Sequence, residues 1–326
     1  MPLHQARVDD IRLIYGSRII HVRGEPAFVV FQRAAFDAYL ANQSRRRGIQ
    51  IHENETVKQV TTSENGVTVE TGIGQYHAKV VVGADGSKGL TRRLVIPNDQ
   101  PTRVARLLEV VHPASENDGP FRQRYATFDF TPVRQHLQGY FWDFPAWVGG
   151  KPHANRGVYD SRFAPQRPRA DLPGLLDQGL LTLGQDPDEV KLEGHPIHWF
   201  SPRSPIAMPR VLLVGDAAGV DPLFGEGIAP ALGYGQVAAQ EIKSAFGQGD
   251  FSFRTYRSNF QRSHTGRYLL LRWYVAWWSY RLSGHPWFMH ALWSLGKALA
   301  STWPKPQQLY PLEKEIDLTN SYIHES

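Results

Sequence analysis

No cysteine occurs among the 326 residues. Disulfides, cysteine-ligated zinc, iron–sulfur clusters, thiol catalysis and cofactors linked through cysteine are thereby excluded. No run of about 18 uncharged apolar residues exists, so a membrane-spanning helix is not expected. The nearest approach, Tyr268–Tyr280, is interrupted by Arg272. Met1–Ile14 mixes charges and lacks the apolar centre of a signal peptide, and a cytoplasmic address is the default expectation. Gly-x-Ser-x-Gly is absent, which leaves a Ser–His–Asp hydrolase unsupported. Charge of neither sign dominates. With 36 Lys/Arg, 31 Asp/Glu and a formal net charge of +5, the chain falls short of a nucleic-acid-binding signature. The 13 histidines show no ligand spacing. His195 and His198, three apart in a strand-like context, would point to opposite faces, so no metal site is expected.

What is present is ordinary for a globular protein: 41% hydrophobic and 21% charged residues. The length has room for two domains at roughly 150 residues each. Arg33–Arg47 reads as a helix from apolar Phe36, Tyr39 and Leu40, with Gly48 as its stop. Glu55–Thr62 and Val67–Thr71 flank Asn65-Gly66, a hairpin signal because both residues tolerate positive φ. Gln75–Val82 reads as a third strand. From Arg103 to Phe200, β-like runs alternate with Pro/Gly turns: Arg106–His112, Tyr125–Phe130, Gly139–Phe144 and Gly157–Phe163. A short helix is expected over Gly174–Leu183. Arg210–Val214 reads as a buried parallel strand, Gly227–Phe246 as a helix, and the chain from Phe251 onward as helical and aromatic.

Two stretches carry a chemical signature. Val80–Arg93 runs from an apolar strand into Gly83-Ala84-Asp85-Gly86. Val211–Ala231 repeats the pattern with Gly215-Asp216 and then Gly225-Glu226-Gly227 before a helix. A carboxylate at the end of a parallel strand stands at the rim where α/β folds bind ligands, where it can accept from a ribose or ribityl hydroxyl. Glycines at a helix N-terminus expose N–H groups that favour an anion. Each stretch also reads as an ordinary strand–turn with permissive glycines.

In combination, these motifs resemble the later fingerprints of the FAD-dependent geranylgeranyl reductase and group A flavin monooxygenase superfamily. The resemblance implies that Asp85 and Gly86 contact FAD and the nicotinamide cofactor's pyrophosphate. It makes Asp216 the ribityl ligand and lays Pro222, Gly225, Glu226, Gly227 and Ile228 along the isoalloxazine. Arg33, with Phe36, Asp37 and Leu40, matches the family's Arg-x-x-Phe-Asp-x-x-Leu helix, and Val57 stands where a backbone contact to the adenine is offered. Tyr140, Trp142, Phe144 and Pro145 match a Tyr-x-Trp-x-Phe-Pro segment that lines a prenyl cavity in geranylgeranyl reductases. Asn155-Arg156-Gly157 departs from the Gly-x-Gly expected downstream. The equally simple reading of Tyr140, Trp142 and Phe144 is an aromatic core, with Pro145 ending their strand.

The family's opening Gly-x-Gly-x-x-Gly turn does not occur. By the family pattern, the chain therefore looks N-terminally truncated. The expected fold is an α/β protein with a Rossmann-like FAD domain from 33–97 and 206–246, its first βαβ unit missing. A β-rich mixed-sheet substrate domain comes from 1–32 and 98–205, and a helical C-terminal region from 247–326. The resemblance implies an FAD-dependent oxidoreductase that reduces a carbon–carbon double bond of an apolar or prenylated, isoprenoid substrate, with NAD(P)H as an electron donor. Alternatives are a group A monooxygenase (hydroxylase) and a non-catalytic fragment. No general acid is assigned. Arg262–Trp303 holds six of the nine tryptophans, five Lys/Arg and no Asp or Glu. It reads either as a cap whose aromatics enter the core or as a peripheral membrane contact.

Overall fold

The computed structural model describes residues 4–96 and 104–302. Strands β1 (Gln5–Tyr15) and β2 (Arg18–Phe31) form a hairpin that leads into helix α1 (Arg33–Arg46). Strands β3 (Val57–Thr62), β4 (Val67–Thr71), β5 (Gln75–Ala78) and β6 (Val81–Gly83) and helix α2 (Leu90–Val95) follow. Next come β7 (Val104–Pro113), one-turn α3 (Gly119–Arg122), β8 (Tyr125–Asp129), β9 (Gly139–Val148) and β10 (Lys151–Asp160). After α4 (Leu172–Thr182) and β11 (Glu193–His198), the short strands β12 (Ala207–Met208) and β13 (Val211–Leu213) lead to four helices. These are α5 (Ile228–Gln248), α6 (Tyr256–Arg262), α7 (His264–Leu282) and α8 (Pro286–Thr302).

The largest sheet has seven strands in the order β11-β7-β10-β9-β8-β1-β2. Its pairs are antiparallel except β1 with β8, so residues 5–31 share one mixed sheet with 104–198. A second sheet, β12-β13-β6, holds a parallel pair, with Leu213 opposite Gly83. The third is the antiparallel meander β3-β4-β5.

Strand β9 is covered on both faces. Phe141 joins Leu172, Leu175, Leu176 and Leu180 of α4, whose spacing makes one apolar stripe. Asp171 caps that helix by accepting from the Gly174 N–H at 3.3 Å. The opposite face of β9 enters an aromatic cluster with Tyr159, Phe163, Trp199 and Tyr280. A further core packs α5, α6 and α7 on β13, with Tyr234 stacked on Phe260 at 3.9 Å.

Several expectations need correction. The single strand expected over 75–82 is two strands in different sheets: Ala78 pairs with Val67, whereas Val81 pairs with Val211. Pro145 does not end its strand. The β8 ladder on β9 stops at Asp143, so the missing proline N–H costs no bond on that side. Strand β10 starts at Lys151 rather than at Gly157, and α4 starts at Leu172, immediately after its cap. Helix α1 buries none of its residues, and Phe36 stacks against Phe31 at its own entry. Trp303 and the domain portions 1–3, 97–103 and 303–326 lie outside the described residues.

Candidate functional site

Because β6 and β13 run parallel, their two carboxylate-bearing turns emerge at the same edge. After β6, Asp85 turns onto its own helix. Its carboxylate accepts from the Thr91 N–H at 2.8 Å and the Thr91 hydroxyl at 2.5 Å. Asp85 therefore holds the first turn of α2 through Thr91. Gly86 beside it has φ +74° with open space at its α-carbon.

After β13, the backbone turns through Gly215, at φ +56°, into a short 3₁₀ turn carrying Asp216. Asp216 reaches the start of α5: a β-carbon added to Gly227 would stand 3.1 Å from its Oδ1. The N-cap residue of that helix, Gly227, has no side chain to cap it. Burial pushes the Asp216 carboxyl above the usual carboxylate range, and the charge of Arg33 opposes the shift. Arg33 itself is exposed and pairs with Asp37 at 3.1 Å. Behind the turn, Arg92 donates to the Ala217 carbonyl at 2.6 Å, and burial pushes its guanidinium down to about 10.

The loop between Asp221 and Gly227 is held from all sides. Asp221 is fully buried and accepts from the N–H groups of Leu223 at 2.8 Å and Phe224 at 3.1 Å. Three successive carbonyls are bound by side chains from other elements. The Pro222 carbonyl accepts from Ser161 at 2.8 Å and Tyr159 at 3.3 Å, that of Leu223 from Tyr280, and that of Phe224 from Tyr140 at 2.5 Å. Gly225 has φ +73°, and a β-carbon there would lie 2.7 Å from the Tyr159 ring, so a side chain would be both strained and blocked. Arg272 reaches in from α7, with one Nη 3.4 Å from Asp221 and the other 3.8 Å from Glu226. It also donates to the Tyr268 hydroxyl, which in turn donates to Glu226 at 2.8 Å.

Tyr140, Trp142 and Phe144 do share one face of β9, but they form a packed layer rather than an open wall. Tyr140 and Trp142 are only 6% and 7% exposed. Phe144 meets Phe28 and Phe128 at ring distances of 5.7 and 5.0 Å. Trp142 lies across Gly157, its cross-strand partner, where a β-carbon would stand 2.3 Å from the indole. Its N–H donates to Asn155 at 2.6 Å. Arg156 pairs with buried Asp143 at 2.9 Å. The Asn155-Arg156-Gly157 departure is thus the stretch that pairs with Trp142-Asp143-Phe144.

The structure therefore brings Asp216, Gly227 and Ile228 together at the α5 N-terminus, within the electrostatic reach of Arg33. Pro222, Gly225 and Glu226 sit in the clamped loop beside them. Val57 opens the separate meander and is exposed. Sequence reasoning missed Asp221, Ser161, Tyr159, Tyr280, Tyr268 and Arg92. Asp221-Pro222 stood inside the quoted motif, and Arg272 appeared only as a break in an apolar run. A lone cation there was the available signal for a buried partner. Glu109, Glu193 and His195 also meet, at the solvent side of the β7–β11 edge, with ligand atoms within 4.8 Å of one another.

No protein-family model matches the chain. An uncharacterized protein of Methanosarcina barkeri is 27% identical over 254 residues, which cover 76% of this chain and 61% of that one. A digeranylgeranylglycerophospholipid reductase of Thermoplasma volcanium is 27% identical over 267 residues, covering 74% and 63%. The chain thus spans about three fifths of the length of these relatives. Among solved structures, a geranylgeranyl bacteriochlorophyll reductase-like protein from Thermoplasma acidophilum superposes with a TM-score of 0.68 at 23% identity, over 90% of this chain and 74% of that one. The halogenase PltM, in complex with phloroglucinol and FAD, gives 0.61 at 13% identity, covering 92% and 66%.

Proposed function

We propose that this chain, which belongs to the geranylgeranyl reductase and group A flavin monooxygenase superfamily, is an FAD-dependent oxidoreductase acting on a carbon–carbon double bond of an apolar, isoprenoid substrate. The observation that carries the reading is the meeting of half-buried Asp216 with Gly227, which has no side chain to cap the start of α5. That arrangement fits part of an FAD site. The carboxylate can accept from a ribityl hydroxyl, and the absence of a side chain at Gly227 leaves room against it. The partial positive charge of the α5 N-terminus suits the electron-rich edge of the ring.

When bound, FAD supplies hydride transfer to the double bond, with NAD(P)H as the donor we propose. The protein's share is positioning. Tyr140, Tyr159, Ser161 and Tyr280 hold the carbonyls of residues 222–224, and Asp221 fixes the amides of the same loop. The loop backbone is thus set before any ligand arrives, and ordering it on binding costs little. Relatives named as reductases of digeranylgeranyl lipids support the substrate class.

The test is anaerobic turnover of a geranylgeranylated lipid with FAD and NADPH, or with dithionite in place of NADPH. The expected result is a product saturated at one or more double bonds, formed without oxygen. Product that forms only in the presence of oxygen, carrying an added oxygen atom, would contradict the reductase and favour the hydroxylase.

A further inference from the structure

Helix α7 has two opposed faces. Leu269, Ala276 and Tyr280 are buried, and Arg272 and Tyr280 reach the clamped loop. On the other side, Leu271, Tyr274, Val275 and Trp278 recur at three- and four-residue spacing, which places them along one stripe. Leu271 is 65% exposed, Tyr274 56%, Val275 39% and Trp278 57%. Arg267 and Arg281 are exposed and lie at the two ends of the same stripe. Arg281 rests on the Trp277 ring at 4.2 Å. Residues 262–302 contain no Asp or Glu, and Arg262 and Lys297 are exposed as well. Helix α8 adds exposed Trp287 and Leu295.

We propose that this face of α7 docks on an anionic lipid surface. Leu271, Tyr274, Val275 and Trp278 lie at headgroup depth, and Arg267 and Arg281 meet lipid phosphates at either end. A helix with an apolar stripe, aromatic rings and cations but no acids is built to lie in the plane of a bilayer interface. No described helix is long and apolar enough to cross a membrane, which agrees with a helix that lies on the surface. Charge selects the occupant. A second copy meeting this face across a two-fold axis would bring arginines against arginines, whereas anionic headgroups supply a counter-charge. The proposal is independent of the flavin reading. It would, however, place the buried side of α7, and the loop it holds, just above the layer in which an apolar substrate dissolves.

The test is co-sedimentation with phosphatidylcholine vesicles, with and without phosphatidylglycerol. It compares the wild type with a Leu271→Glu/Trp278→Glu double variant and an Arg267→Ser/Arg281→Ser double variant, each checked for retained fold by circular dichroism. The wild type should pellet with the phosphatidylglycerol vesicles and be released by high salt. Each double variant should bind at least about tenfold more weakly. The arginine pair keeps the test decisive should the glutamates perturb the helix. Wild type remaining in the supernatant, or binding unchanged by both pairs, would overturn the proposal. So would a dimer, seen by light scattering, that the glutamates dissociate while no variant or wild type binds lipid.

Discussion

Trp142→Ala is expected to destabilise the protein by about 3–5 kcal/mol, with flavin content falling in parallel. The indole is 7% exposed, covers Gly157, and donates its N–H to Asn155 at 2.6 Å. Its neighbours on the strand, Tyr140 and Phe144, meet it at ring distances of 6.2 and 6.3 Å. Truncation would empty a large volume inside a close-packed aromatic layer and leave the Asn155 side chain without its donor. Because Tyr140 of that layer binds the Phe224 carbonyl, loosening it would reach the proposed flavin loop. Melting temperature, flavin occupancy and turnover should be read on one preparation. A variant that melts like the wild type and keeps its flavin, but no longer turns over long-chain isoprenoids, would restore the prenyl-channel reading of Tyr140, Trp142 and Phe144.

Arg272→Leu should cost a comparable amount, about 3–5 kcal/mol at neutral pH, because it strands a fully buried carboxylate. Burial already raises Asp221 above the usual carboxylate range, while Arg272 and the amides of Leu223 and Phe224 pull it back. Without the guanidinium, the upward shift grows. A carboxyl whose folded-state pKa exceeds its unfolded value takes up a proton on folding. Its charge penalty is therefore absent below the unfolded pKa, grows as pH rises from the unfolded value to the folded one, and is fully present above it. The deficit of the variant against the wild type should shrink as pH is lowered from about 7 to about 5. Urea unfolding of both proteins across that range reads this directly. A deficit of constant size would mean that Arg272 acts through its packing on the Phe224 and Tyr268 rings rather than through Asp221.

How far the fold could be read from sequence differed between its parts. The β3–β4 hairpin was legible because Asn65-Gly66 interrupts two β-rich runs, although neither residue takes a positive φ in the turn, and Val211–Leu213 because a short apolar run has to be buried. The break between Ala78 and Val81 was not, since β-propensity is continuous across it and only the partner strand decides the sheet. For the same reason Pro145 misled: local rules end a strand at proline, but an incomplete neighbouring ladder removes the objection. At the site, Asp216 and the glycines after it were visible because their types are unusual at a strand end. The clamp was not. Tyr140, Tyr159, Ser161 and Tyr280 come from β9, from the end of β10 and from α7, and nothing in their spacing links them to residues 222–224. The bond from Thr91 to Asp85 was equally hidden, because nothing in the motif shows that the carboxylate reaches the helix that follows it.

The central claim is that Asp216, placed against Gly227 at the start of α5, binds FAD. The most direct measurement is titration of the purified chain with FAD, wild type against Asp216→Ala, followed by flavin fluorescence. Losing a hydrogen bond to a charged group costs about 1.5–3 kcal/mol, so the variant should bind roughly ten- to a hundredfold more weakly while melting at the wild-type temperature. Equal dissociation constants, or a wild type that takes up no flavin, would contradict the account.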